Sequence, residues 1–127
     1  MPPSSARARI KSEVLAVVLD IPEGRVTTYG AIGKHLGVTA RQAAYVLARL
    51  TPEESSSVPW YRVVASKGVV STMKLGAVGR RQVARLQAEG VDVTPRHKVA
   101  DFASVFWVPD TKTAAARRTR TGTGSRR

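Results

Sequence analysis

Few side chains in this chain can do chemistry, and their types narrow what that chemistry is. None of the 127 residues is cysteine, which excludes a disulfide, a thiolate nucleophile and a thiolate metal site. His35 and His97 are the only histidines, too few for a metal site built on imidazole. Tyr61 carries a nucleophilic oxygen, but no general base stands near it in the run Pro59-Trp60-Tyr61-Arg62-Val63-Val64. What remains is the chemistry of contact. Tyr29 follows Thr27-Thr28, Arg41 and Gln42 follow Thr39, and Trp60 stands two residues before Arg62. Tyrosine and arginine reach phosphates, and an indole stacks on a base. The charge agrees: 21 Lys and Arg against 9 Asp and Glu leave +12, which points to a polyanionic partner, nucleic acid first and anionic membrane second. No apolar run reaches the roughly 18 residues of a membrane span. The start, MPPSSARARIKSE, lacks the apolar core of a signal peptide, so a soluble intracellular protein is expected.

The elements that must position these side chains follow from spacing. Ile10, Val14, Val17, Val18 and Ile21 recur at helical intervals, with Ser4 or Ser5 as cap and with Pro22 and Gly24 closing the helix. Val26-Thr27-Thr28 is a short extended lead-in; Thr28 caps a second helix, Tyr29 to Leu36, which Gly37 ends. Thr39 opens a third helix that runs to about Leu50, and Thr39-Ala40-Arg41-Gln42 has the capping-box pattern. Two short helices across a Gly-Val turn make either a helix-turn-helix, with Arg41 and Gln42 facing a groove, or an ordinary helical hairpin. The pattern alone favours neither.

After a polar loop, Glu53 to Ser57, the run Trp60 to Val64 alternates as a strand, with Trp60 and Tyr61 on opposite faces. Ser66-Lys67-Gly68 turns it and Val69-Val70-Ser71 returns, giving a β-hairpin. Ala77 to Glu89 forms a further helix capped by Gly90, with Val83 and Leu86 inward and Arg80, Arg81 and Arg85 outward. Those arginines are either a solvated face or phosphate contacts. Val91-Asp92-Val93 and Val99 to Trp107 supply a strand and a docked terminal segment, with Trp107 in the core and His35 on a solvated helix face. The expected fold is α+β: a mostly helical, winged-helix-like domain over residues 5–110, with a helix-turn-helix and a small β-hairpin. Thr111 to Arg127 holds six basic residues, no acid and little to bury, so it is expected to be a disordered basic tail.

Ile21-Pro22-Glu23-Gly24-Arg25-Val26-Thr27-Thr28-Tyr29-Gly30-Ala31-Ile32 closely resembles the IPxGxVTTYGxI segment in the DNA-binding domain of O6-alkylguanine-DNA alkyltransferases. Pro59-Trp60-Tyr61-Arg62-Val63 stands where those enzymes carry Pro-Cys-His-Arg-Val. With tryptophan at the acceptor position, the chain is similar to the alkyltransferase-like proteins, and Gln82 to Val91 resembles their C-terminal helix and its exit. The resemblance spans about residues 8–107. It implies a protein without catalysis, cofactor or metal, which flips O6-alkylguanine out of double-stranded DNA and flags it for nucleotide excision repair proteins. A cytoplasmic monomer, nucleoid-associated in a bacterium, is the matching expectation. Tyr29 is implied to press on the phosphate of the flipped nucleotide and Arg41 to fill the vacated stack, with Thr39 and Gln42 beside it on the DNA. Trp60, Tyr61, Arg62, Ser71, Met73 and Lys74 are implied to form the lesion pocket, Arg62 by tying the active-site strand to its neighbours.

Three departures accompany these matches. Only three residues separate Gly37 from Arg41, fewer than the family pattern has. Tyr61 stands where histidine is usual, and Met73 stands where a basic residue is expected, with Lys74 beside it. Met73 and the basic tail favour a rival reading, a general architectural or regulatory DNA binder without lesion selectivity.

Overall fold

In the computed structural model α1 (Pro3–Asp20) presents Val14, Val17 and Val18, followed by Ile21, to the core at helical spacing. It begins at Pro3, so Ser4 and Ser5, expected to precede it, fall inside its first turn. The structure describes residues 3–109; the segment expected to be a disordered tail, and the boundary placed at 110, lie outside the described residues. The chain then passes through β1 (Thr27–Thr28) into α2 (Tyr29–Leu36), where the Thr28 hydroxyl accepts a hydrogen bond from the Ala31 N–H at 3.0 Å. Gly37 ends α2 at φ +75°, a conformation that glycine adopts without strain. In α3 (Ala40–Ala48) the expected capping box is present: Thr39 Oγ1 accepts from the Gln42 N–H at 3.0 Å and Gln42 Oε1 accepts from the Thr39 N–H at 2.8 Å. Gly33 lets the intervening turn close, since a Cβ there would lie 2.5 Å from the Val38 carbonyl oxygen.

Two expected elements are replaced. The polar run Glu53 to Ser57 belongs to a helix, α4 (Pro52–Ser57), started by Pro52 and a second capping box between Thr51 and Glu54. The expected β-hairpin is absent. Trp60–Arg62 is a turn of 3-10 helix, and β2 (Val63–Val64) pairs with β1 in parallel, Thr27 opposite Val63 and Thr28 opposite Val64. Val63 and Val64 are buried on opposite sides, and such a segment needs cover on both faces, as parallel strands have. The return segment turns elsewhere, Val69 bridging Lys98 in antiparallel fashion. Among the described residues the architecture is therefore mostly helical around a two-stranded sheet that is parallel, where a hairpin was expected.

That sheet divides the core. Val63 joins Val14, Val18, Ile21, Ile32 and Ala43 beneath α1, α2 and α3, and Trp107 packs on this cluster as expected. Val64 joins Val26, Tyr61, Val70, Leu86, Val91 and Val99 under α5 (Ala77–Ala88). The C-terminal stretch is tied back through α6 (Phe102–Val105), with Trp107 N–H donating to the Val26 carbonyl at 2.7 Å.

Candidate nucleic-acid interface

The first face is built where β1 feeds α2. Because Thr28 serves as the cap, Tyr29 is the first residue of α2; Arg41 is the second residue of α3 and exposed. Both line one open groove of about 1070 Å³, with Lys34, His35 and Lys67 adding positive or polar rim and no acidic residue among its walls. His35 is half-buried in that wall, not on a solvated face as its spacing suggested. Tyr29 is half-buried against the first core cluster, and Ser71 hydrogen-bonds its hydroxyl. Burial pushes the Tyr29 hydroxyl above its ordinary pKa, and the Ser71 bond only partly offsets this. The phenol therefore stays a neutral donor at physiological pH, suited to a phosphate oxygen. Thr39 and Gln42 are exposed on the same face, but each spends an oxygen on the cap, which leaves the Gln42 amide N–H groups to face outward.

The second face centres on the turn Trp60–Arg62. Trp60 and Tyr61 are not on opposite faces of a strand; their rings meet edge to face with centroids 5.9 Å apart. Trp60, half-buried, lines a cavity of about 250 Å³ with Ser55, Ser56, Arg81 and Arg85. Tyr61 and Arg62 do not line it. Tyr61 is 7% exposed and its hydroxyl donates to Glu89 Oε2 at 2.8 Å. The Arg62 guanidinium forks onto the same carboxylate, Nη2 to Oε2 at 2.5 Å and Nε to Oε1 at 2.9 Å, while Nη1 donates to the Ile21 carbonyl at 2.8 Å. Gly24 N–H completes the set at 3.1 Å. Arg62 thus ties the turn to Glu89 at the end of α5 and to Ile21 after α1. Burial pushes the Glu89 carboxyl up, but the bonds from Arg62, Gly24 and Tyr61 outweigh it and hold the group below its usual range. The Arg62 pKa is raised, chiefly by its bond to Glu89. A carboxylate so held is a weak base, so Tyr61 gains no activating partner from it.

Glu89 and Gln82 carry this site, and neither was singled out from the sequence. Gln82 is buried and donates its amide to the Tyr61 and Val63 carbonyls at 3.0 and 2.9 Å, while its oxygen accepts from the Thr72 hydroxyl. It therefore links the Trp60 turn to the 3-10 segment Ser71–Leu75. Gly79 seats that segment on α5, because a Cβ there would lie 2.5 Å from Met73 Cα. Met73 packs against the second core cluster, whereas Lys74 is exposed. Among the described residues no group of three or more acidic or histidine side chains can hold a metal ion.

The family model for the 6-O-methylguanine DNA methyltransferase DNA-binding domain matches residues 9–91, a stretch that contains Tyr29, Arg41, Trp60, Ser71 and Gln82. The chain is 39% identical over 84 residues to alkyltransferase-like protein 1 of Schizosaccharomyces pombe, 65% of this chain and 76% of that protein. It is also 39% identical over 99 residues to the DNA base-flipping protein of Vibrio parahaemolyticus, 76% and 94% of the two chains. Among solved structures, S. pombe Atl1 in complex with damaged DNA containing O6-carboxymethylguanine is similar at a TM-score of 0.70 and 34% identity, over 80% of this chain and 97% of that one. The chain belongs to the family of the 6-O-methylguanine DNA methyltransferase DNA-binding domain, among its alkyltransferase-like members.

Proposed function

We propose that this protein binds double-stranded DNA, rotates an O6-alkylguanine nucleotide out of the duplex, and holds it without reacting so that nucleotide excision repair proteins can act on it. One observation carries the proposal. Tyr29 and Arg41, from two separate helices, stand on one groove free of acidic walls, and Ser71 from a distant segment bonds to the Tyr29 hydroxyl. Extruding a base costs a few kcal/mol, less when damage has weakened its pairing. Arg41 recovers part of that cost by filling the vacated stack, and Tyr29 fixes the rotated phosphate. Trp60 then offers an indole to the base where the enzymes of the family offer a thiolate. With no cysteine in the sequence, an alkyl group has no thiolate to move to. The six basic residues beyond residue 110 add phosphate contacts that carry no sequence information. A monomer in the cytoplasm, on the nucleoid in a bacterium, is the matching setting.

The test is the affinity ratio for matched duplexes with and without one O6-methylguanine, read by fluorescence anisotropy at fixed salt. At least a tenfold preference is expected, with the lesion intact and the protein mass unchanged afterwards. Arg41→Ala and Tyr29→Ala should weaken binding to the lesion duplex more than to single strands, which have no stack to invade. Equal affinity for both duplexes would establish the architectural reading, which Met73 favours: it packs on the core where a cation over the base was expected.

A further inference from the structure

Just beyond the residues that the family model matches, the chain makes a tight turn with a basic tip. Val93 and Val99 bridge in antiparallel fashion, and Thr94-Pro95-Arg96-His97-Lys98 closes the turn between them, exposed from Pro95 to Lys98. Its shape is fixed from within. Thr94 N–H donates to the Lys98 carbonyl at 2.7 Å and His97 N–H to the Thr94 carbonyl at 2.8 Å. The Thr94 hydroxyl oxygen accepts from the Arg96 and Lys98 N–H groups at 3.3 Å each. The turn is also fastened to the segment that enters the groove: Val69 bridges Lys98, Val70 N–H donates to the His97 carbonyl at 2.8 Å, and Val99 N–H donates to the Gly68 carbonyl at 2.9 Å. One residue past Val70 is Ser71, which bonds the Tyr29 hydroxyl; two before Val69 is Lys67, which lines the groove. Antiparallel partners lie about 5 Å apart and two residues span at most about 7 Å, so the Lys98 Cα is within about 12 Å of the Lys67 Cα. That is about the width of the major groove of B-DNA.

Lys67 and His97 hold positive φ, 63° and 62°, a conformation that side chains adopt sparingly, so the bonds around both turns set how they present their cations. Among the described residues Lys67, Arg96 and Lys98 make no salt bridge. Of the flanking acids, Asp101 accepts from the Ser104 hydroxyl at 2.7 Å and Asp92 stands at the base of the turn. With Pro95 its one apolar residue, the tip offers cations and donors, which suit phosphate oxygens and not an apolar partner. We propose that the Arg96–Lys98 tip is a second DNA contact, which together with Lys67 grips the duplex backbone beside the Tyr29 and Arg41 groove. This rests on the reading of that groove as the DNA face. The added contact sets affinity and register on the duplex and does not read the base.

The test uses the full chain and matched duplexes with guanine or one O6-methylguanine, read by anisotropy across a salt series. An Arg96→Gln, Lys98→Gln double variant should weaken both duplexes several-fold by one common factor. At about 0.9 per phosphate contact, the slope of log K against log salt should become shallower by close to two, and Lys67→Gln should remove about one more. Methylphosphonate substitutions walked along both strands then neutralise one phosphate at a time. At one or more positions outside the lesion nucleotide the wild-type protein should lose affinity several-fold, and that loss should vanish in the double variant. If affinity and slope do not change, or if no methylphosphonate position loses its effect, the tip is a solvated turn and the proposal is overturned; a wild-type preference for the lesion duplex then still stands. A double variant that loses only the lesion preference overturns it as well, because the tip would then act on the base. Equal wild-type affinity for the two duplexes, with the slope and the methylphosphonate position still dependent on the tip, removes lesion recognition and upholds this contact.

Discussion

The face that carries Tyr29 and Arg41 and the face that carries Trp60 are held in place by different kinds of interaction. Around Tyr29 and Arg41 the fixing bonds are local: Thr28 to Ala31, Thr39 to Gln42, and Gly37 N–H back to the Gly33 carbonyl, all within four residues. Around Trp60 they are distant: Arg62 and Tyr61 to Glu89, and Gln82 to Tyr61 and Val63. A locally capped helix start can be rebuilt after fraying at small cost. A buried ion pair and a buried amide fail together with the core that holds them. The proposed lesion recognition would draw on both, a wedge on a locally capped helix start and a base held beside distantly tied residues.

The sharpest way to break this contrast is Glu89→Gln. The Arg62 and Glu89 side chains are only 14% and 10% exposed, and the variant leaves the guanidinium without a counter-charge. Loss of about 3 kcal/mol is expected in urea unfolding; a loss below about 1 kcal/mol would place the pair among surface salt bridges. The sign of the pH dependence follows from the depressed Glu89 pKa. Its contribution is fully present above the unfolded carboxyl value, near pH 4.3, and is lost as pH falls through the lower folded value. The wild-type protein should therefore lose stability more steeply than Glu89→Gln as pH falls below about 4.3.

Gln82→Leu comes next. It leaves the Tyr61 and Val63 carbonyls unpaired inside the protein and frees Thr72 from α5. About 2 kcal/mol should be lost. Trp60 emission should shift as its turn loosens, and an unshifted spectrum would mean that the turn is held from elsewhere.

The same division explains what was legible. Helices α2 and α3 could be read because each cap lies within a few residues of what it caps. The start of α4 carried an equally local signal, Thr51-Pro52-Glu53-Glu54, which the run of serines behind it masked. The partner of Val63 could not be read, because an apolar, alternating run is the same whether it pairs with the next segment or with Thr27 far upstream. Among site residues, Tyr29, Arg41 and Trp60 stood out through type and motif. Gln82 and Glu89 looked like ordinary helix residues, since the partners that give them meaning lie 19 to 28 residues away along the chain.

The smallest effect is the most telling about the wedge. Thr39 Oγ1 satisfies one otherwise open N–H at the start of α3, and the helix start it fixes carries Arg41. Thr39→Ala removes that acceptor and should cost about 1 kcal/mol in thermal unfolding, whereas Thr39→Ser should cost little and Thr39→Gly only a few tenths more. The loss should also stay local: the acid limb set by Glu89 keeps its shape, because no bond of the cap reaches the Arg62 cluster. DNA affinity should fall a few-fold through a less ordered Arg41, and in an Arg41→Ala background the same Thr39→Ala change should then have almost no effect on binding. A Thr39→Ala loss as large as that of Glu89→Gln, or one that reshapes the acid limb, would mean that the two faces are one cooperative unit and that the contrast drawn between them fails.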